Sequence, residues 1–234
     1  MKNYRIEAAI LAIGLVLLGV FIERGFNDFA EKDRNVNVKG LAEMEVAADK
    51  VTWPLVYKSI GNDLSALYDE IKRSNQTIVQ FLKEKGLAES EISVNAPEII
   101  DLKAERYGNT QANNYRYNVT TVITVTSDKV DLVRKLISEQ SELLKRGIAI
   151  TSGEYQYRVQ YEYTSLNKIK PQMIEEATKN AREAAEKFAK DSESELGKIR
   201  YANQGQFSIN DRDANTPYIK KVRVVTTVSY SLKN

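Results

Sequence analysis

The feature that most constrains this chain is an uninterrupted apolar run, Ala8–Ile22, which follows the cationic residues Lys2 and Arg5. The run stops at Glu23 and Arg24, and the sequence is polar from there on. A cationic start followed by an apolar segment is the pattern of an export signal. Because the cationic end is retained on the cytoplasmic side, the remainder is sent outward. We therefore predict that the chain is exported and folds outside the cytoplasm.

The end of the apolar run bears on whether this segment is removed. Signal peptidase requires small residues just after the apolar stretch, whereas Val20–Phe26 offers mainly bulky and charged ones. This favours an uncleaved signal-anchor, with a cleaved signal peptide as the alternative. The chain then divides into the anchor or signal (1–25), a tether (26–35) and a folded domain (36–234). The expected membrane-anchor side chains are Ala8, Ile10, Leu11, Ile13, Leu15, Val16, Leu17, Leu18, Val20, Phe21 and Ile22.

Beyond the tether, apolar residues recur at helical spacing in three segments. Each has a suitable start or end signal: Asn62 or Asp63 can cap the first helix, and Gly86 follows it. The third helix begins near Pro171, and its apolar face is mostly small, which allows close packing on a sheet. That face comprises Ile174, Ala177, Ala181, Ala184, Ala185 and Phe188. The predicted helices are 62–85, a helix from Ser127 or Asp128 to Gly147, and 171–191.

Alternating apolar and polar residues predict the strands. Pro54 lies inside one of them, which indicates an edge, a bulge or the start of the strand. Another, Tyr155–Tyr163, has an aromatic face that could stack on bases or sugars, but packing on a sheet core is the favoured interpretation. The predicted strands are Asn37–Val46, Lys50–Ile60, Ile92–Tyr107, Tyr115–Val125, Tyr155–Tyr163, a strand entered through Leu196–Ile199, and Val222–Tyr230.

The order of these elements predicts an α+β fold of mainly antiparallel sheet. We expect two intertwined sub-domains, with approximate halves 36–110 and 111–234, and helices packed on one face of each sheet. The N-terminal hydrophobic helix precedes them.

The amino-acid composition restricts which catalytic and metal-binding sites the chain can form. The chain has no Cys and no His, which excludes thiol catalysis, thiolate metal sites and a histidine base. Its glycines form no phosphate-binding motif. Three chemistries stay open: a Ser–Lys dyad, paired carboxylates such as Glu175 and Glu176, and calcium binding by Asn210–Asn215. Solvated surface and a plain hairpin loop are the favoured interpretations of the last two. We assign no catalytic residue, metal site or cofactor.

Four segments together resemble the SIMPL family, the bacterial envelope proteins often labelled periplasmic immunogenic or oxidative-stress-defence proteins. The similarity covers residues 36–233. Two departures stand out: Leu41-Ala42 where a second Gly is usual, and Ala48-Asp49 where the family commonly has Pro-Asp. The segments that carry the resemblance are Val38–Glu43, Leu82–Leu87 with Glu91-Ile92, Tyr115–Val125, and Glu176–Ala189 followed by Leu196-Gly197.

The resemblance implies a two-part α/β structure exported to the periplasm or outer envelope. It also implies ring-like or channel-like homo-oligomers, which some relatives form, and a role in envelope or oxidative stress tolerance. No catalytic residue is established for the family, so none is transferred. We expect an inner-membrane anchor with the domain in the periplasm; the alternative is a soluble periplasmic or outer-membrane-associated protein after cleavage.

Two functional hypotheses follow. The first is a non-enzymatic interaction protein that self-assembles or binds an envelope partner through its polar loops. The second is a hydrolase of an envelope polymer that uses carboxylates or a Ser–Lys pair. A net charge of +2 gives no indication of a nucleic-acid partner. The candidate interaction residues lie in the loops Tyr107–Tyr115 and Asn203–Tyr218: Tyr107, Asn109, Tyr115, Phe207, Asn210 and Tyr218.

Overall fold

The computed structural model describes residues 5–32, 34–104, 114–151 and 153–233, with side chains described at 8–25 and from 34 onward within those ranges. The predicted α+β class is confirmed. The helices are α1 (Arg5–Lys32), α2 (Leu64–Glu84), α3 (Val130–Glu139), α4 (Glu142–Lys145) and α5 (Leu166–Asp191). The strands are β1 (Asn35–Ala47), β2 (Lys50–Gly61), β3 (Ile92–Val94), β4 (Glu98–Asp101), β5 (Tyr117–Ser127), β6 (Ile150–Thr151), β7 (Gln160–Glu162), β8 (Glu195–Gln204), β9 (Ser208–Asp211) and β10 (Ile219–Lys233).

Helix α1 contains the predicted apolar segment. Its window Ala8–Gly25 has a mean hydropathy of 2.0 and no buried residue, and is long and apolar enough to cross a membrane. The helix continues to Lys32, through most of the segment expected to be a tether.

The chain forms two contact units that alternate along the sequence. One consists of the segment up to Met44, Asn167–Ile209 and the segment from Lys221 on; the other consists of Glu45–Leu166 and Asn210–Lys220. The units are therefore interleaved and do not coincide with the sequential halves 36–110 and 111–234.

The second unit is built on a six-stranded sheet in the order β3-β5-β2-β6, in which β4 also pairs with β5 and β7 with β2. Strands β2 and β5 are antiparallel from Val51 opposite Ser127 to Gly61 opposite Tyr117. Helices α2, α3 and α4 supply the other side of the core. The fully buried large side chains include Leu55, Ile78, Phe81, Leu82, Ile123, Leu136 and Leu143.

Pro54 lies inside β2, opposite Thr124 of β5, and is neither at the start of the strand nor on an edge strand. On the other flank of β2, β7 pairs only with residues 50–52 and β6 only with residues 56–57. Pro54 therefore falls in an interval of that flank with no strand partner among the described residues, a position that suits a residue without a backbone N–H.

Helix α2 begins after Asp63, as predicted. Asp63 Oδ1 accepts hydrogen bonds from the backbone N–H groups of Ser65 and Ala66 at 2.7 and 3.2 Å. At the other end, Gly86 has a φ of +101°, the left-handed conformation that glycine adopts at low cost. Leu64 has the helical spacing of the apolar stripe that continues through Leu67 and Ile71, but its side chain is 44% exposed whereas those two are buried.

We expect Asp63→Ala to lower the free energy of unfolding by about 1 kcal/mol, because two N–H groups of the first turn lose their acceptor. Chemical denaturation followed by circular dichroism measures this loss. Asp69→Ala is the matched control: it removes the same charge from an exposed mid-helix position of α2. An equal loss in both variants would contradict the capping role.

The first unit packs α5 on a sheet in the order β1-β10-β8, with β9 paired to β10. The buried face of β10 matches the predicted alternation Val222, Val224, Thr226, Val228 and Tyr230. Helix α5 starts at Leu166, so Pro171 lies within the helix rather than near its start. Its buried stripe runs at four-residue spacing through Met173, Ala177, Ala181, Ala185 and Ala189.

Phe188 was predicted on the buried face of α5, and this is wrong: the side chain is 59% exposed. It borders the alanine stripe on the solvent side. Only small residues fit the central row, because the strand β1 approaches α5 closely at Gly40.

Four other predicted segments differ from the observed secondary structure. Tyr155–Tyr163 is mostly not a strand: Tyr155–Tyr157 forms a 3-10 turn, and Gln160–Glu162 pairs with residues 50–52 of β2. The pairing stops before Pro54, which has no backbone N–H to donate. Ile92–Tyr107 is interrupted before Glu98, and its end lies outside the described residues. The helix after Ser127 breaks into α3 and α4; Leu143 of α4 is buried, and its neighbour Leu144 is 60% exposed. The polar segment 203–217 contains β9.

Candidate functional site

The predicted anchor residues all lie on helix α1. All of them are exposed along α1. Among the large side chains, exposure runs from 38% at Val20 to 68% at Leu11. A helix that is apolar all round is unfavourable in water and requires burial in protein or lipid.

The predicted interaction loops are only partly accessible. Tyr107 and Asn109 lie outside the described residues. Tyr115 and Asn210 are exposed, and Phe207 is half-buried, with Lys170 Nζ 6.0 Å from its ring centroid.

Tyr218 is a packing residue. Its ring meets that of Tyr161 edge-on, with centroids 6.2 Å apart, and the Arg134 guanidinium lies 3.4 Å from its ring centroid. Its carbonyl accepts the N–H of Ala48 at 2.8 Å. These contacts hold the β9–β10 turn in place, since a cation over an aromatic ring is stabilising.

The segment considered as a calcium loop, Asn210–Asn215, uses its carboxylates within the hairpin. Asp213 accepts hydrogen bonds from the Thr216 hydroxyl and from the N–H groups of Asn215 and Thr216. These bonds, that of the Thr216 hydroxyl first, lower the pKa of Asp213 to about 2. Among the described residues there is no group of three or more acidic side chains placed to hold a metal ion. Glu175 and Glu176 are exposed on α5.

One cluster bears directly on the Ser–Lys hypothesis. Ser127 Oγ donates to Glu91 Oε1 at 2.6 Å, and Lys129 Nζ lies 3.1 Å from Glu91 Oε2. The hydrogen bond from Ser127 lowers the pKa of Glu91, with further contributions from the Ala88 N–H and from Lys129. In a Ser–Lys dyad the lysine accepts the proton of the serine, whereas here the Ser127 hydroxyl donates to Glu91 and the Lys129 ammonium bonds the same carboxylate and the Gly86 carbonyl. Ser127 is also only 3% exposed. The cluster ties the turn before β3 to the end of β5.

We expect Glu91→Gln to lower the free energy of unfolding at pH 7 by about 1–2 kcal/mol, because it removes a charged acceptor of several hydrogen bonds. The folded pKa of Glu91 lies below its ordinary value of 4.5. Its contribution is therefore complete above that value and is lost as the pH falls through the folded pKa. The difference between parent and variant should shrink below about pH 4.5.

Urea denaturation at a series of pH values measures this effect. Glu89→Gln is the control, since that neighbouring carboxylate is 84% exposed and forms only a surface ion pair with Lys83. If the loss in free energy of unfolding caused by Glu91→Gln were as large at pH 3 as at pH 7, the charge-based explanation would be ruled out.

A groove lies between α2 and strands β3 and β4, and we call it the α2 groove. It has a volume of about 330 Å³, at the lower end of small-molecule sites. Several of its side chains are large, apolar and half-exposed: Leu64, Tyr68, Val94 and Ile99. Sequence reasoning missed it because Leu64 fits the core stripe of α2. The available signal was Tyr68, an aromatic residue one turn after Leu64, which widens the apolar face of α2 on one side.

The described residues thus define a class: an antiparallel α+β domain that follows directly on an exposed apolar helix. The model of the SIMPL family, described as "Protein of unknown function (DUF541)", matches residues 36–230, and the chain belongs to this family. The matched segment begins in β1 and ends in β10, which confirms the resemblance carried by Val38–Glu43 and Glu176–Ala189. No curated protein matches the chain.

Proposed function

We propose that this SIMPL protein is exported and held in the inner membrane by α1, and acts in the envelope by binding, through self-assembly or to an envelope partner, rather than by catalysis. The observation that supports this most is the complete exposure of the apolar segment Ala8–Gly25. Lys2 and Arg5 precede it, and cationic residues favour the cytoplasmic side. The folded domain then lies on the periplasmic side.

Strand β8 supports the binding role. It is ten residues long and, within the part of the chain that the structure describes, β10 is its one strand partner. Ile199 and Tyr201 on this strand are 51% and 58% exposed. An uncovered strand edge offers free N–H and C=O groups to another chain, and exposed apolar side chains add contact area. A second copy of the chain is the partner we propose. A role in stress tolerance would then depend on this assembly.

The test uses the full-length protein in lipid nanodiscs and in intact cells. We expect chemical crosslinking in cells to yield oligomers, and external protease applied to spheroplasts to digest the domain. Ile199→Lys combined with Tyr201→Lys should abolish the crosslinked species, because charges at an edge strand disfavour strand pairing. Ile60→Lys, at a residue of β2 that is 54% exposed, is the control and should crosslink normally.

Two results would count against the proposal. Protection of the domain from protease in spheroplasts would exclude the periplasmic location. A strictly monomeric protein, together with no crosslinked partner of any size, would exclude the binding role.

A further inference from the structure

The α2 groove combines two kinds of side chain. Its apolar ones include Leu64 and Tyr68 of α2, and Val94 and Ile99 of the facing strands. These side chains are between 44% and 65% exposed, so the groove presents apolar surface to solvent. A site of this kind gains free energy when an apolar ligand displaces water.

The same groove also carries hydrogen-bond donors. Lys72, Asn75 and Gln76 line the groove from one face of α2, three and four residues apart. The buried Tyr57 hydroxyl donates to Asn75 Oδ1 at 2.7 Å, which fixes the amide and leaves its N–H groups without an acceptor among the described residues. The ammonium of Lys72 likewise has no ion-pair partner in the described part of the chain.

Charge at the groove has one sign. Among the described residues that line it, Lys72 is the one with a charged side chain. An ammonium beside amide N–H groups favours an anion with two acceptor oxygens, since hydrogen bonds to an ionised group are stronger than neutral ones.

We propose that the α2 groove binds a linear acyl chain that ends in a single carboxylate, a free fatty acid of short to medium length. The chain lies between Tyr68 and Ile99, and the carboxylate accepts from Lys72 Nζ and the Asn75 amide. The small volume limits the chain length and disfavours a folded partner. This binding site goes beyond the proposed function, because it is independent of whether copies of the chain associate.

The test uses the full-length protein in phosphatidylcholine nanodiscs and a decanoic acid that carries a photoreactive diazirine near its methyl end. After irradiation, mass spectrometry should locate the label in residues 64–76 and 92–101. An excess of unlabelled decanoate should suppress labelling, whereas decyltrimethylammonium, with the same chain and a cationic head, should not.

Matched variants test the polar and the apolar side chains of the groove separately. Lys72→Gln should reduce labelling roughly tenfold, the loss expected for one charge-assisted hydrogen bond. Arg73→Gln, with the same charge change on the next position of α2, should not. Ile99→Asp should abolish labelling, and Ile60→Asp should leave it unchanged.

Three outcomes would overturn the proposal: label confined to α1, equal labelling of Lys72→Gln and Arg73→Gln, or equal competition by decanol. The last would mean an apolar docking surface without a carboxylate site. Circular dichroism of each variant checks that the fold is retained.

Discussion

Gly40→Ala should be among the most destabilising single-methyl changes in this protein, with a loss of at least about 2–3 kcal/mol in the free energy of unfolding. A Cβ built at Gly40 would overlap the carbonyl oxygen of Ala177 and lie 2.5 Å from the N and 2.8 Å from the Cβ of Ala181. The obstacle is helix backbone, which cannot rotate away as a side chain can. Helix α5 would have to move off β1, and overpacking of a dense core is costly.

Thermal unfolding of the full-length protein, followed by circular dichroism, measures this effect. A loss of 2–3 kcal/mol corresponds to a fall in Tm of roughly 5–10 °C for a chain of this size. Gly61→Ala is the control, because the nearest atoms to its Cβ, 3.1–3.3 Å away, belong to the flexible side chain of Leu67. Equal melting of the two variants would show that α5 is not held against β1 at Gly40.

The close approach at Gly40 also explains what the sequence could predict about α5. The alanines Ala177, Ala181 and Ala185 indicated a small contact face, and the structure buries all three. Phe188 was assigned to the same face from periodicity alone. Nothing in the helix sequence states how near the facing strand lies, and at this distance a large side chain is displaced to solvent. The distance is a property of β1, which lies far away in sequence.

The prediction of strands is limited in the same way, by partners that lie far away in the sequence. Strand β10 was predicted well because it lies inside a sheet and each alternate residue has a buried environment. The tyrosines from Tyr155 to Tyr163 alternate just as regularly, but β2 pairs with only three residues of that segment. Alternation shows that a segment can form a strand. Whether it does depends on a partner whose length and register are set elsewhere.

Of the candidate sites, the apolar segment of α1 could be predicted from the sequence because it is continuous and local. The α2 groove could not be predicted, because it forms only where α2 lies near Val94 and Ile99, which come later in the sequence. Its one local sign was the exposed position of Tyr68 on an amphipathic helix. No neighbour in the sequence marks Lys72 as a binding residue. It becomes a candidate only because apolar side chains line the groove beside it.

Val16→Arg should prevent stable membrane insertion of the protein. Val16 lies at the middle of the apolar window Ala8–Gly25, where an arginine costs about 2.5–3.5 kcal/mol. That cost corresponds to a roughly hundredfold change in the ratio of inserted to non-inserted chains. Synthesis in the presence of inverted inner-membrane vesicles, followed by protease, measures the ratio as the fraction of domain that is protected.

Ile22→Arg distinguishes an anchor from a merely apolar helix. It adds the same side chain beside Glu23 and Arg24, where the guanidinium can reach the lipid headgroups and the cost of insertion is small. An anchor that spans the membrane therefore requires a strong dependence on depth, with loss of protection in Val16→Arg and near-normal protection in Ile22→Arg. Two variants that insert equally well, or that fail equally, would mean that α1 does not cross the bilayer, and the domain would then have no fixed position on the outer side of the membrane.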